Sequence, residues 1–434
     1  MKVNEIYELL KQCDFKVCTD TRTIIKGSLF IALKGNKFNA NDFIDEAFEK
    51  GCRYAIGEEY KGNNPNVFVV TDSLLTLQQL AAFHRKKMKA KVIGIAGSNG
   101  KTTSKELISQ VLKQKYSIIS TQSNFNNHIG VPLTLLTIRP ETELAVVEMG
   151  ANYINELEHL CAIADPDYGI VTNVGKEHLE GFGSFEGVIK TETFLYRYIE
   201  KKDGLVFVNK ENSLLLEYIG NCKTYTYSKG EDSEIQMCSY ENNPFLKVFW
   251  KVKNEQSLQE VQTKLIGTYN WENVLAAIAI GNYFEIPKEK IKHAIESYVP
   301  SNHRSQWIEV GSNHIVMDAY NANPTSMQVA IENFAALSFP NKVLILGDML
   351  ELGKYEIQEH QAILSLINSY SFSKVFLVGT VFSSLDTNNF YHFNTVEELI
   401  AYLSKNPITD ATVLIKGSHG IHLEKLLSVF SYEK

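Results

Sequence analysis

No run of about 18 consecutive apolar residues occurs anywhere in this 434-residue chain, so membrane insertion through a helix is not expected. The opening stretch, MKVNEIYELLKQCDF, alternates charged and apolar residues and lacks the apolar run of a signal peptide. The six cysteines (Cys13, Cys18, Cys52, Cys161, Cys222 and Cys238) are scattered, with no CxxC pair. That excludes a thiolate metal cluster and a disulfide framework, and leaves reduced thiols in the cytoplasm as the expectation. Short-period repeats and low-complexity tracts are also missing. An excess of positive charge is lacking too: the formal net charge is −7, which argues against a nucleic-acid partner. Anionic small substrates remain possible, because a local site can be basic on an acidic protein. A monomer is the expected state.

What is present is a long globular chain with an apolar fraction of 44%, enough for several cores, and three regions separate by pattern. Residues 1–86 hold short mixed elements: a strand over 28–33, a helix over 42–50, a strand over 67–71 and a helix over 74–89. The last helix runs into the basic run HRKKMKAK, read as a solvated helix end at a domain joint. Residues 87–299 alternate strand and helix, with buried strands at 92–96, 144–149 and 168–174, and helices at 103–115 and 267–283. The more polar stretch 228–260 reads as an edge hairpin. Residues 300–434 form a third unit with strands at 314–317, 343–346, 375–378 and 412–415. The fold class is therefore α/β, with mainly parallel sheets covered by helices on both faces.

The segment GIAGSNGKTT, residues 94–103, follows an expected strand and opens an expected helix, the context that a phosphate-binding loop needs. Glycines let the backbone wrap closely, so that N–H groups aim at phosphate oxygens beside the positive end of the helix. The strict G-x4-G-K-[ST] spacing would need glycine at position 95, which is Ile95, but the shorter form has the same physics. Gly97, Ser98, Asn99, Gly100, Lys101, Thr102 and Thr103 are thus the candidate triphosphate-binding residues. Lys101 would reach the outer phosphates, and the Thr102 hydroxyl would ligate Mg²⁺. The bland alternative is an ordinary strand–helix turn. Glu148, at the carboxyl end of a buried strand, suits a Mg²⁺ ligand or a water holder. His178, in the loop TNVGKEHLEGFG, reads equally as a metal ligand or as a structural histidine.

With these pieces in place, the chain resembles the Mur ligases, the amide-forming enzymes of peptidoglycan precursor synthesis, over essentially its whole length. The loop GSNGKT marks the family at large. NFNNHIGVPLTL (124–135), DAYNANPTSM (318–327), LGDMLELG (346–353), DTR (20–22) and LKG (33–35) resemble the branch that joins D-alanyl-D-alanine to UDP-N-acetylmuramoyl-tripeptide. The resemblance implies a three-domain architecture: a UDP-substrate-binding N-terminal domain (1–86), a central ATP-binding domain with a parallel sheet (87–299) and a C-terminal Rossmann-like domain (300–434). It implies ATP and Mg²⁺ as cofactors. Thr102, Glu148 and His178 would serve the metal, and Asn270, Asn273, Arg304 and Asp318 the nucleotide. Asp20, Thr21, Arg22, Lys34, Gly35, Asn124, Asn126, Asn127, Asn321, Asn323, Lys416, Gly417 and Ser418 would meet the substrates.

Three positions depart from the family. Where it carries a lysine modified to a carbamate, gap-free counting from His178 falls on Glu192, with Lys190 two residues earlier. Either Glu192 supplies a permanent carboxylate, the preferred reading, or a local shift lets Lys190 carry the carbamate. Tyr269 stands for the histidine of GxHNxxN, and His419 for the arginine after KGS. A ligase for a different amine, and a nucleotide-binding regulator that has lost catalysis through the change at Glu192, are the competing functions.

Overall fold

The computed structural model describes residues 1–35, 38–301, 303–387 and 390–430. Three sheets follow one another along the chain. The first pairs Val17–Cys18, Leu29–Ile31, Tyr54–Gly57 and Val67–Val69 in chain order, all parallel. The second has nine strands. At its centre Lys91–Ala96 lies parallel between Leu144–Glu148 and Tyr168–Val171, and Ile118–Ser120 forms the edge beyond Leu144–Glu148. The other side continues through Leu205–Asn209 and Lys223–Ser228 into Ile235–Asn242, Phe245–Val252 and Gln259–Ile266, which pair antiparallel with one another. In the third sheet, Gln306–Val310 is an antiparallel edge on Asn313–Asp318. Thr412–Lys416, Lys342–Gly347, Lys374–Val378 and Tyr391–Phe393 then follow in parallel.

The central strands read as apolar runs because both faces are covered. Every residue of Leu144–Glu148 is buried, as is every residue but the first of Lys91–Ala96. Helix Lys101–Leu112 packs on one face together with Trp271–Tyr283. The hairpin expected at 228–260 is present at the sheet edge. Phe245–Val252 alternates buried with half-buried residues because only one face meets the core. Gln306–Val310 and Tyr391–Phe393 were not legible as strands: both are half-exposed edges with little apolar contrast. One continuous apolar cluster joins all three sheets, from Ile6 and Leu77 through Val92 and Val147 to Met327 and Leu344. None of the helices among the described residues is long and apolar enough to cross a membrane.

The basic run after residue 83 needs correction. Helix Ser73–Lys87 ends with Lys86 and Lys87 exposed, but His84 and Arg85 are buried. His84 Nε2 lies 2.9 Å from the Ile138 carbonyl and its Nδ1 lies 3.2 Å from Tyr7 Oη. The Arg85 guanidinium donates to Asp167 Oδ2 at 2.7 Å and to the carbonyls of Ala164 and Asp165. A charge run seen in sequence cannot reveal which of its members turn inward to satisfy carbonyls at a helix end. Removing Arg85 would leave Asp167 with only the exposed Lys91 ammonium as a charged partner. Arg85→Ala is therefore expected to lower unfolding stability by about 3 kcal/mol. Lys86→Ala should stay within about 0.5 kcal/mol of the parent. Urea unfolding followed by circular dichroism checks both.

Candidate active site

The phosphate loop is shaped by two glycines. Gly97 (φ +113°) and Gly100 (φ +81°) adopt left-handed conformations that other residues resist. A Cβ at Gly97 would also lie 2.8 Å from the Asn173 carbonyl and the Thr172 nitrogen. Gly100 caps helix Lys101–Leu112 without a side-chain bond, so the first-turn N–H groups are open to an anion. Lys101 Nζ curls across the loop and donates to the carbonyls of Gly97 and Ser98.

Three carboxylates surround Lys101, each at most 2% exposed: Glu148, Glu177 and Glu192. Glu148 Oε1 accepts from Thr102 Oγ1 at 3.0 Å and Asn126 Nδ2 at 2.9 Å. Glu192 Oε2 accepts from the Gly97 N–H at 2.5 Å. Glu177 Oε2 stands 3.9 Å from Lys101 Nζ and 4.0 Å from His178 Nε2. Each of the three carboxylates keeps one buried oxygen without a hydrogen-bond partner. Burial alone would depress the Lys101 ammonium, but Glu177, Glu192 and Glu148 outweigh it and hold its pKa above the ordinary value. Burial pushes the Glu192 carboxyl up to about 7, opposed by Lys101 and reinforced by Glu177.

Such an excess of buried negative charge with unpaired oxygens fits divalent cations. Among the described residues, no three His, Cys, Asp or Glu side chains converge into a ready cage. Mg²⁺ takes few protein ligands and fills its shell with water and phosphate oxygens. Thr102, Glu148, His178 and Glu192 therefore fit the group, and Glu177 joins them. Glu177 was missed because a glutamate beside a lysine in a loop reads as solvated, although its place directly before His178 was a usable signal.

Lys190 is not brought to the site. On helix Phe185–Glu192, residues 190 and 192 stand about 200° apart, so one faces solvent when the other faces the core. Lys190 is exposed and pairs with Glu186 at 3.5 Å.

A cavity of about 370 Å³ lies over the loop, between the second and third sheets. Ser98 to Thr103, Asn126, Glu148, His178, Asn270, Asn273, Arg304, Asp318, Asn321, Asn323 and Lys416 line it. Gly97 and Glu192 support it from behind. Gly417 packs against Gly347, and Ser418 Oγ accepts from the Leu350 N–H, so this pair holds neighbouring loops. Asn127 is used locally, accepting from the N–H groups of Ile129 and Gly130, and the Asn124 side chain is exposed. Asp20, Thr21, Arg22, Lys34 and Gly35 do not reach this cavity. Asp20 pairs with Arg22 and Lys34 with Glu59 on the surface of the first unit.

The third unit is clasped onto the loop. Asn323 Nδ2 donates to Asn99 Oδ1 at 2.9 Å, Lys176 Nζ to Glu359 at 2.6 Å, and Tyr269 Oη lies 2.7 Å from Ser305 Oγ. His178 Nδ1 forms a close ion pair with Glu351, which raises the imidazole pKa against the opposing effect of burial.

Known proteins share this layout. Residues 95–281 match the Mur ligase middle domain, and residues 303–419 the Mur ligase, glutamate ligase domain. The chain is 33% identical over 424 residues to the UDP-N-acetylmuramoyl-tripeptide--D-alanyl-D-alanine ligase of Bacillus subtilis, covering 95% of this chain and 92% of that one. The Escherichia coli enzyme of the same name is 30% identical over 420 residues, with 95% and 92% covered. A crystal structure of MurF from Acinetobacter baumannii superposes with TM-score 0.87 at 28% identity, covering 96% of this chain and 93% of that one. MurF from Thermotoga maritima in complex with ADP gives 0.85 at 26% identity, with 99% and 98% covered. Taken with these relatives, the chain is an ATP-dependent ligase that forms C–N bonds. The chain belongs to the Mur ligase family.

The state of Glu192 yields a pH signature. Its folded pKa, about 7, lies above the ordinary value of 4.5, so the folded protein binds the extra proton between those limits. Its contribution is therefore most favourable at low pH and is lost as pH rises towards 7. Without divalent ions, the stability difference between Glu192→Gln and the parent should widen in favour of the variant from pH 5 to pH 8. Calorimetric melting at a series of pH values checks it.

Proposed function

We propose that this enzyme joins D-alanyl-D-alanine to UDP-N-acetylmuramoyl-tripeptide in the cytoplasm, at the expense of ATP. The observation that carries this reading is the phosphate loop ringed by buried, half-satisfied carboxylates and capped by a second α/β unit. The names of the relatives supply the substrate class. The substrate carboxylate attacks the γ-phosphorus and becomes an acyl phosphate as ADP leaves. The dipeptide amine then attacks that carbonyl, and the tetrahedral intermediate collapses with release of phosphate.

Each step asks the chain for positioning and charge. Lys101 and the first-turn N–H groups of helix Lys101–Leu112 bind the triphosphate and counter the charge that develops on it. Thr102, Glu148, His178 and Glu192 would hold Mg²⁺, which when bound neutralises phosphate charge. Asn126, tied to Glu148 and lining the cavity, would meet the acyl donor. Lys416, held by Asp318 at 2.6 Å, faces the same space from the third unit, beside Asn321. The clasp between the units excludes the water that would hydrolyse an acyl phosphate. On the first unit, Asp20, Thr21, Arg22, Lys34 and Gly35 would take the uridine diphosphate end.

Purified protein with ATP, Mg²⁺ and UDP-N-acetylmuramoyl-tripeptide should release phosphate only when D-alanyl-D-alanine is added, with a pentapeptide product by mass. Product from a different amine instead, or ATP binding without any product, would overturn the reading. Glu192→Ala should reduce turnover at least about 100-fold, the scale expected for loss of a group that holds a catalytic ion. Lys190→Ala should change it less than about threefold. The reverse pattern would place the carbamate on Lys190.

A further inference from the structure

The loop after strand Tyr168–Val171 carries Glu177 and His178 to the cavity, and the third unit grips it at several points. Thr325 Oγ1 accepts from the Lys176 N–H at 3.1 Å, and Glu359 holds the Lys176 ammonium. The Glu351 carbonyl accepts from the Glu180 N–H at 3.3 Å. Gly353, with φ +53°, lies so close that a Cβ there would stand 3.2 Å from the Glu180 Cβ. Between these contacts, His178 Nδ1 pairs with the Glu351 carboxylate.

Two features separate that pair from a simple clasp. Its backbone is left-handed at both ends, φ +43° at His178 and φ +64° at Glu351, a conformation that residues with a Cβ adopt only at a cost. The imidazole also lines the cavity, whereas Lys176 and Glu359 do not. The contact with His178 holds the Glu351 carboxyl below its ordinary range. An ionised carboxylate can only accept, so it fixes an imidazole proton on Nδ1. Nε2 is then the nitrogen left to bind something else. It stands 4.0 Å from Glu177 Oε2, and no hydrogen bond to it is found among the described residues.

We propose that Glu351 is a positioning residue: it reaches from the third unit to orient the His178 imidazole and hold a proton on Nδ1, so that Nε2 is presented to a divalent cation. A histidine that binds metal through one ring nitrogen commonly donates from the other to a carboxylate, and loss of that partner weakens metal affinity by about 10- to 100-fold. Here the partner belongs to a different unit from the ligand. The cation site on the central unit is therefore complete only when the third unit is seated, and a bound cation favours seating in return.

The inference rests on His178 being a metal ligand, and one set of variants separates the two. Mn²⁺ affinity is measured by electron paramagnetic resonance on the full chain with a non-hydrolysable ATP analogue, with folding confirmed by thermal melting. Glu351→Ala should weaken Mn²⁺ binding at least about tenfold. Glu351→Gln, nearly isosteric, keeps an oxygen that accepts from Nδ1–H and should stay within about threefold of the parent. Glu359→Gln, which removes one clasp contact and leaves the others, should also stay within about threefold. In a His178→Ala background, Glu351→Ala should have no further effect. Unchanged affinity in Glu351→Ala, with a loss in His178→Ala, overturns the proposal and leaves the ligand reading intact. A loss in Glu359→Gln as large as that in Glu351→Ala, or an effect of Glu351→Ala that persists without His178, assigns Glu351 to the clasp alone and overturns the proposal too. Unchanged affinity in His178→Ala overturns both, while phosphate release with both substrates still tests the ligase reading by itself.

Discussion

Three buried carboxylates sharing a single ammonium form the constraint around which the centre of this molecule is arranged. Glu148, Glu177 and Glu192 could each be stabilised by full hydrogen bonding, yet each retains an unpartnered oxygen in a space closed to bulk water. Burying a charge without full compensation is unfavourable. The surrounding fold must therefore hold these groups in place, and it does so with rigid elements. Glu148 ends a fully buried central strand, Glu192 ends a helix packed on the core, and Glu177 sits in the loop directly after the neighbouring strand. Stability is given up locally to keep these carboxylates beside the loop.

The second design feature is that the loop ties its own unit to the third. Asn99 reaches the third unit, Gly97 binds the helix carrying Glu192, and Gly100 and Ser104 press on the helix start at Asn273. An apolar cluster that passes through all three sheets gives these contacts a stiff frame. Small changes in the loop are thus felt both within its own unit and by the third, as expected of a close-packed interior.

Much of this was legible in the sequence, for physical reasons that differ from residue to residue. Gly97, Gly100, Lys101 and Thr102 were readable because a loop around phosphate needs left-handed backbone and a cation at fixed spacing. Buried parallel strands announced themselves as apolar runs. Glu192 could be located by counting from His178, but its inward direction depends on helix phase, and the same phase removes Lys190. Glu177, His84 and Arg85 were hidden because each sits among charges that look solvated until tertiary packing turns one of them inward.

The clasp on the third unit has a thermodynamic consequence. Asn323 both reaches Asn99 and caps helix Pro324–Ala336, and Thr325 and Ser326 from that first turn line the cavity. A second helix thus aims its positive end at the space opposite the one that begins at Lys101. This helix can stabilise an anion only while the third unit is seated. Anion occupancy and seating are then linked quantities: whatever factor the seated unit adds to nucleotide affinity, the nucleotide returns to seating.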